Sequence, residues 1–302
     1  VGFFDRFTGG PPSEASVKRQ EEILFAIRTD GCPKSTRRRL LGVRSGALPW
    51  IATLTAAELL IIRSHGFRPI SAVSATCWMH YGWSWTLGHE QGWQTALNRL
   101  REEARAAGAN AVLDVKMRTI PLHVEESMDF TLTGTAVYVE GLPSGNEPVV
   151  ATVPALELVK LLEADVVPTG IAVGAHFEWM YDWRGTADPR WSYVNTEAVQ
   201  LSQLWERVRR KAHQNLRINV RGQGNGVLAH VNFSQMFEGE EAERKRYLAR
   251  HIVIATTVDA RRGAQFPHDV AIVVDMHAGK TPLTGTIRHH QSYQMNDEEG
   301  GI

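Results

Sequence analysis

The sequence predicts an α+β fold made of two tandem copies of one unit, each an antiparallel sheet with helices packed on one face. Length is the first observation: 302 residues is about twice an ordinary domain. A repeat is the second. Pro49, Ala52, Thr53, Ala56, Glu58, Leu59 and Pro69 return ninety-nine positions later as Pro148, Ala151, Thr152, Ala155, Glu157, Leu158 and Pro168. The third is order, because each set is followed by the same succession of patterns: helix, strand, helix, strand, strand. Duplication explains this more simply than chance.

Taken in order, residues 1–48 form a lead segment with an amphipathic helix (Val17, Leu24, Ile27) and a basic stretch from Lys34 to Arg39. Phe3, Phe4 and Phe7 make one apolar helical turn, read as a clip onto the chain itself or a neighbouring subunit in preference to a membrane contact. The first unit spans 49–140. Thr55 with Glu58 is a capping box opening a helix that carries Leu59 and Ile62. In the second copy Leu158 and Leu161 keep that spacing, and Pro154 suits a first helical turn. Further on, Val73, Ala75, Tyr81 and Trp83 are matched to Val173, Ala175, Tyr181 and Trp183, which equates Cys77 with Phe177 and His80 with Met180.

An amphipathic helix follows in each copy. Trp93, Leu97, Leu100, Ala104 and Ala107 form one stripe, ended by Gly108; Leu201, Leu204, Trp205, Val208 and Ala212 form the other, with Asn195 and Thr196 as caps. Two strands close each unit. Leu113, Val115 and Met117 alternate with polar residues, as does the run from Asn225 to Phe233, and Gly134-Thr-Ala-Val corresponds to Ala255-Thr-Thr-Val. Residues 141–147 read as a turn-rich linker, 148–260 as the second unit, and 261–302 as a strand (Val270 to Val274) followed by a tail.

Composition narrows the function. Thirty-three basic residues balance thirty-three acidic ones, which argues against a nucleic-acid coat. Cys32 and Cys77 are too few for a disulfide framework and indicate a reducing, cytoplasmic setting. No apolar run of about 18 residues could span a bilayer, and the first residues lack the pattern of a signal peptide.

Gly108-Ala-Asn-Ala-Val-Leu-Asp-Val, followed by Thr133-Gly-Thr-Ala-Val, resembles the YbjQ family, and Gly66-Phe-Arg-Pro-Ile and Tyr81-Gly-Trp resemble its two-copy relatives. The resemblance implies two YbjQ-like domains, the second diverged, and an assembly of identical subunits into closed rings. It implies no reaction; the family's heavy-metal label has to be argued from a site.

Cys77, His80 and His89 are the local group that could hold a metal, although Cys77-x-x-His80 is half a zinc motif with no second half. The alternative is that Cys77 packs as a small hydrophobe. Trp78, Tyr81, Trp83, Trp179, Tyr181 and Trp183 read either as core and subunit interface or as an apolar pocket with polar tips. Gly222-Gln-Gly-Asn-Gly is a turn rather than a dinucleotide fingerprint, and neither Gly-x-Ser-x-Gly nor His-Glu-x-x-His occurs. No catalytic residue and no organic cofactor is therefore expected. The leading expectation is a non-enzymatic, ring-forming homo-oligomeric scaffold. Two alternatives stand beside it: a protein binding a transition-metal ion or small ligand near Cys77 and His80, and an enzyme of unassigned reaction.

Overall fold

The computed structural model describes residues 13–29, 31–80, 84–121, 127–142, 147–182, 197–241, 244–260 and 273–274. Along these run α1 (Glu14–Arg28), α2 (Lys34–Arg44), α3 (Ala56–Ser64), β1 (Phe67–His80), α4 (Trp85–Ala107), β2 (Ala111–Pro121), β3 (Ser127–Val139) and β4 (Val149–Val150). Then come α5 (Ala155–Glu163), β5 (Val166–Tyr181), α6 (Val199–Asn219), β6 (Gly226–Glu241), β7 (Arg244–Ala260) and β8 (Val273–Val274). The fold is mixed α+β. Phe3, Phe4, Phe7, Tyr81, Trp83, Trp183, Asn195 and Thr196 lie outside the described residues.

Local chemistry sets several of the helix ends. Thr55 accepts from the Glu58 N–H at 3.3 Å while the Glu58 carboxylate accepts from the Thr55 N–H at 2.8 Å, so both halves of the capping box close. The Ser84 hydroxyl caps α4 by accepting from the Leu87 N–H. Gly108 ends α4 at φ 77°, a left-handed conformation that glycine adopts at low cost. α6 opens after Ala198 with no side-chain cap.

Two four-stranded sheets follow one plan. The first has the order β1-β3-β2-β4 and the second β5-β7-β6-β8. In each the three long strands are antiparallel and a two-residue strand adds in parallel at the edge. β4 comes from the segment expected to open the second unit, yet it completes the first sheet: Ala151 N–H donates to Val112 O at 3.0 Å, and Val115 N–H to Ala151 O at 3.1 Å. The chain then crosses over at Thr152, whose N–H donates to Thr256 Oγ1 at 2.9 Å. Thr53 makes the same bond to Thr135 at 2.8 Å in the first sheet.

Register corrects the sequence match by one residue. Val73 lies opposite Gly134, and Ala172 lies opposite Ala255. Since Gly134 and Ala255 correspond, Val73 corresponds to Ala172 and not to Val173. Helix contacts agree, for Arg99 donates to Thr76 O at 2.7 Å and Asn215 to Ala175 O at 2.8 Å. Cys77 is therefore matched by His176 and not Phe177, and His80 by Trp179 and not Met180. A bulge after Pro69 and another after Pro168 keep the offset constant. A one-residue slip would put each matched side chain on the opposite face.

The layers follow from that alternation. Val73, Ala75, Cys77 and Leu132 of the first sheet pack on one side of α4, and Ile171, Val173, Ile252 and Ile254 of the second sheet share the same core. The even-numbered face of β5 turns instead to α6, where Ala172, Val253 and Ala255 meet Leu216. The Gly174 position lets α6 approach closely, since a Cβ there would collide with the Ala212 carbonyl oxygen. α4 is thus buried between two sheets, whereas α6 buries only Leu204, Val208, Ala212 and Leu216.

Candidate functional site

Strand alternation separates the residues that sequence spacing grouped. On β1, Cys77 faces α4 and is buried opposite Phe130, while Trp78 and His80 point to the other, exposed face. Burial pushes the Cys77 thiol up from its ordinary range. His89 sits in the first turns of α4, fully buried, its ring centre 5.0 Å from Phe130, 5.5 Å from Phe177 and 5.8 Å from Trp93. Burial, and then the charge of Arg250, holds its imidazole well below the ordinary histidine range. Cys77, His80 and His89 are not brought together. Among the described residues no three His, Cys, Asp or Glu side chains stand in metal-holding geometry.

Of the aromatic candidates, Trp78 is exposed on the first sheet. Trp179 and the exposed Tyr181 lie at the end of β5, where the Arg246 guanidinium lies 4.8 Å from the Trp179 ring centre. A pocket uniting the six aromatics is not described, because three of them fall outside the described residues.

A different group does converge. His176 on β5 and His251 on β7 are cross-strand partners, and Ser234 on β6 is the partner of His251 on its other side. The three side chains form a polar row across the second sheet on the α6 side, from the buried His251 out to the exposed Ser234. His213 of α6 stands over it, its ring centre 5.6 Å from that of His251. His251 Nδ1 and Ser234 Oγ are hydrogen-bonded at 2.6 Å. His251 is 3% exposed and among the described residues its Nε2 has no hydrogen-bond partner, while the buried Nε2 of His176 lies 3.4 Å from the Glu178 carboxylate. The row divides the helix–sheet core, with Leu216, Val227 and Val253 on one side and Leu204, Val208 and Tyr247 on the other.

Burial first, and then neighbouring positive charge, lowers these imidazoles below the ordinary histidine range. Burial, His213 and Arg209 bring His251 down to about 4. Burial, Arg217 and Arg209 lower His213, and burial and Lys211 lower His176. Beside the row, Glu178 accepts from Arg207 at 2.9 Å and from Lys211 at 2.8 Å. Burial would raise that carboxyl, but the two hydrogen bonds and charges outweigh it and hold it at about 2. Neutral imidazoles with open ring nitrogens are metal ligands or hydrogen-bonding groups for a small polar molecule.

Sequence reasoning missed this row. Its histidines stand 37 and 38 positions apart in the chain, and the one-residue slip set Phe177, not His176, against Cys77. A signal was present, since His176 and His251 occupy inward positions of strands that otherwise read Ala172, Gly174 and Ala249, Val253.

No curated protein and no solved structure matches the chain. Residues 84–140, which comprise α4, β2 and β3, match the YbjQ family model, described as "Putative heavy-metal-binding".

Proposed function

We propose that the chain is a tandem pair of YbjQ-like units working as a non-enzymatic binding protein, in which the first unit locks the pair together and the second holds the ligand. One observation carries the reading. Where the first unit fills its helix–sheet core with Cys77 and Phe130, the second places His176 and His251. Each buried polar atom without a partner costs about 1–3 kcal/mol, and the first unit shows that an apolar solution fits this framework. Both units bury unpaired imidazole, His89 lying on the helix of the first. Only the second sets two histidines side by side on its strands, where the first has Cys77 and Phe130, and that pairing is what a binding site leaves behind.

The ring-forming scaffold remains the second reading. Its support is the seating of α4 on the back of the second sheet, a contact that would close a ring or propagate if repeated between chains. The outward surface of α6, with exposed Glu206, Arg209 and Arg217, is mostly polar and favours a self-contained pair. By contrast, the exposed Trp78 between Thr76 and His80 on the first sheet is the apolar spot a neighbouring chain could cover. Two buried free thiols, Cys32 and Cys77, fit a reducing cytoplasm. Among the described residues no helix is long and apolar enough to cross a membrane.

Native mass spectrometry of the untagged protein, prepared without chelator, tests the choice. A single chain carrying a stoichiometric ligand is the expected result. A discrete ring without one would replace the binding reading by the scaffold.

A further inference from the structure

Resting on the binding reading above, we infer that His176, His213 and His251 are the protein ligands of one transition-metal ion held between α6 and the second sheet. The three residues come from three elements, β5, α6 and β7, which fixes their backbones independently. His176 and His251 are direct cross-strand neighbours on one face. The 5.6 Å between the His213 and His251 ring centres is close to what one shared ion requires. Two imidazoles at metal–nitrogen distances near 2.0–2.1 Å have ring centres roughly 5 Å apart.

The surroundings of His251 are those of a ligand. A metal-bound histidine typically donates its second ring N–H to an oxygen, which fixes the tautomer and aims the other nitrogen. Ser234 Oγ at 2.6 Å from Nδ1 is placed to accept that bond, leaving the lone pair on the buried, unpartnered Nε2. His176 Nε2 is also buried and lies 3.4 Å from the Glu178 carboxylate. That carboxylate is held by Arg207 and Lys211, so it serves as an outer counter-charge and not as a ligand.

His213 is the more exposed of the two facing rings, and the described conformation of the three is not coordination geometry, so one shared ion requires the His213 ring to turn toward the strand pair. Three imidazoles without a thiolate select ions of intermediate softness, such as zinc, cobalt, nickel and copper, over calcium and magnesium. Arg209, Arg217 and Lys211 oppose a divalent charge here, and three protein ligands leave a fourth position for water or an anion.

The test equilibrates the untagged full chain with zinc, removes free ion by desalting, and counts bound zinc by elemental analysis; cobalt substitution gives the absorption spectrum. The wild type is expected to retain one ion per chain. His213→Leu and His251→Phe place apolar residues in the layer, Leu at 213 being mild because that position is partly exposed. Each should lose the ion, with circular dichroism of the unloaded proteins confirming the fold. Ser234→Ala should weaken zinc 10–100-fold, as loss of an outer-sphere partner does. His89→Leu should retain the ion. Zinc retained equally by His213→Leu and His251→Phe would overturn the site assignment and leave the binding reading standing. A wild type that retains no zinc or cobalt, yet carries another small molecule, would overturn the metal inference alone. A wild type that retains nothing would overturn both.

Discussion

His251 Nδ1 and Ser234 Oγ lie 2.6 Å apart, in a hydrogen bond whose direction goes with which ring nitrogen of a buried imidazole carries the proton. With Ser234 as acceptor, the neutral ring is protonated at Nδ1 and presents a lone pair at Nε2. Nitrogen-15 NMR of the metal-free protein at pH 7 should show His251 in that tautomer, and Ser234→Ala should shift the population toward the Nε2–H form. An Nε2–H wild type would remove the second-sphere argument for the ligand set.

The paired threonines tie each lead-in segment to its sheet. Thr152 N–H donates to Thr256 Oγ1 and Thr53 N–H to Thr135 Oγ1. Thr256→Val keeps the volume and leaves the buried Thr152 donor unpaired, so it should cost about 1–3 kcal/mol in denaturant unfolding. Thr135→Val should cost less, because Thr53 is only partly buried. Equal stability of Thr256→Val and wild type would show that the crossover is not held by this bond.

The close approach of α6 to β5 depends on Gly174. Any side chain there would meet the Ala212 carbonyl and Leu216, and overpacking of this kind costs about 1–3 kcal/mol or more. Gly174→Val should lower the thermal midpoint by several degrees. Gly222→Ala serves as a contrast, since its strain is confined to an open turn with φ 80°.

How much of this was legible varies with the kind of signal. The Thr55 capping box, the Gly108 stop and the buried stripe of α4 were readable because each depends on residues within a turn or two of one another. The sandwiching of α4 was not, because a helix buried on two sides shows only as extra apolar positions. Leu97 looks the same whichever sheet covers it. The register slip followed from matching Val73 to Val173 by residue type, when the structural partner is Ala172. That slip hid the histidine row, whose members meet only once three strands and a helix are assembled.

Acid should destabilise the protein through His89. Its folded-state imidazole is held well below the ordinary value, so the unfolded chain binds the proton more readily. Stability is full above the unfolded value near 6.5 and falls as pH drops below it, by about 1.4 kcal/mol per pH unit while the folded state stays unprotonated. His89→Leu should flatten the fall between pH 6.5 and 5, measured by urea midpoints. An unchanged slope would place the acid sensitivity elsewhere.

Neither cysteine should react with thiol reagents in the native protein. Burial, followed by the nearby Glu103 carboxylate, brings Cys32 up to about 11, and burial raises Cys77. Disulfide-exchange titration should give no fast thiol at pH 8 and two on unfolding. A fast native thiol would mean that one of these sites opens.

X-ray diffraction from zinc-loaded crystals, recorded on both sides of the zinc absorption edge, locates the bound ion. One anomalous peak is expected within coordination distance of His176, His213 and His251, with the His213 ring turned toward it. A peak at Cys77 and His80, or full occupancy at any other place with the histidine row empty, would contradict the three-histidine site.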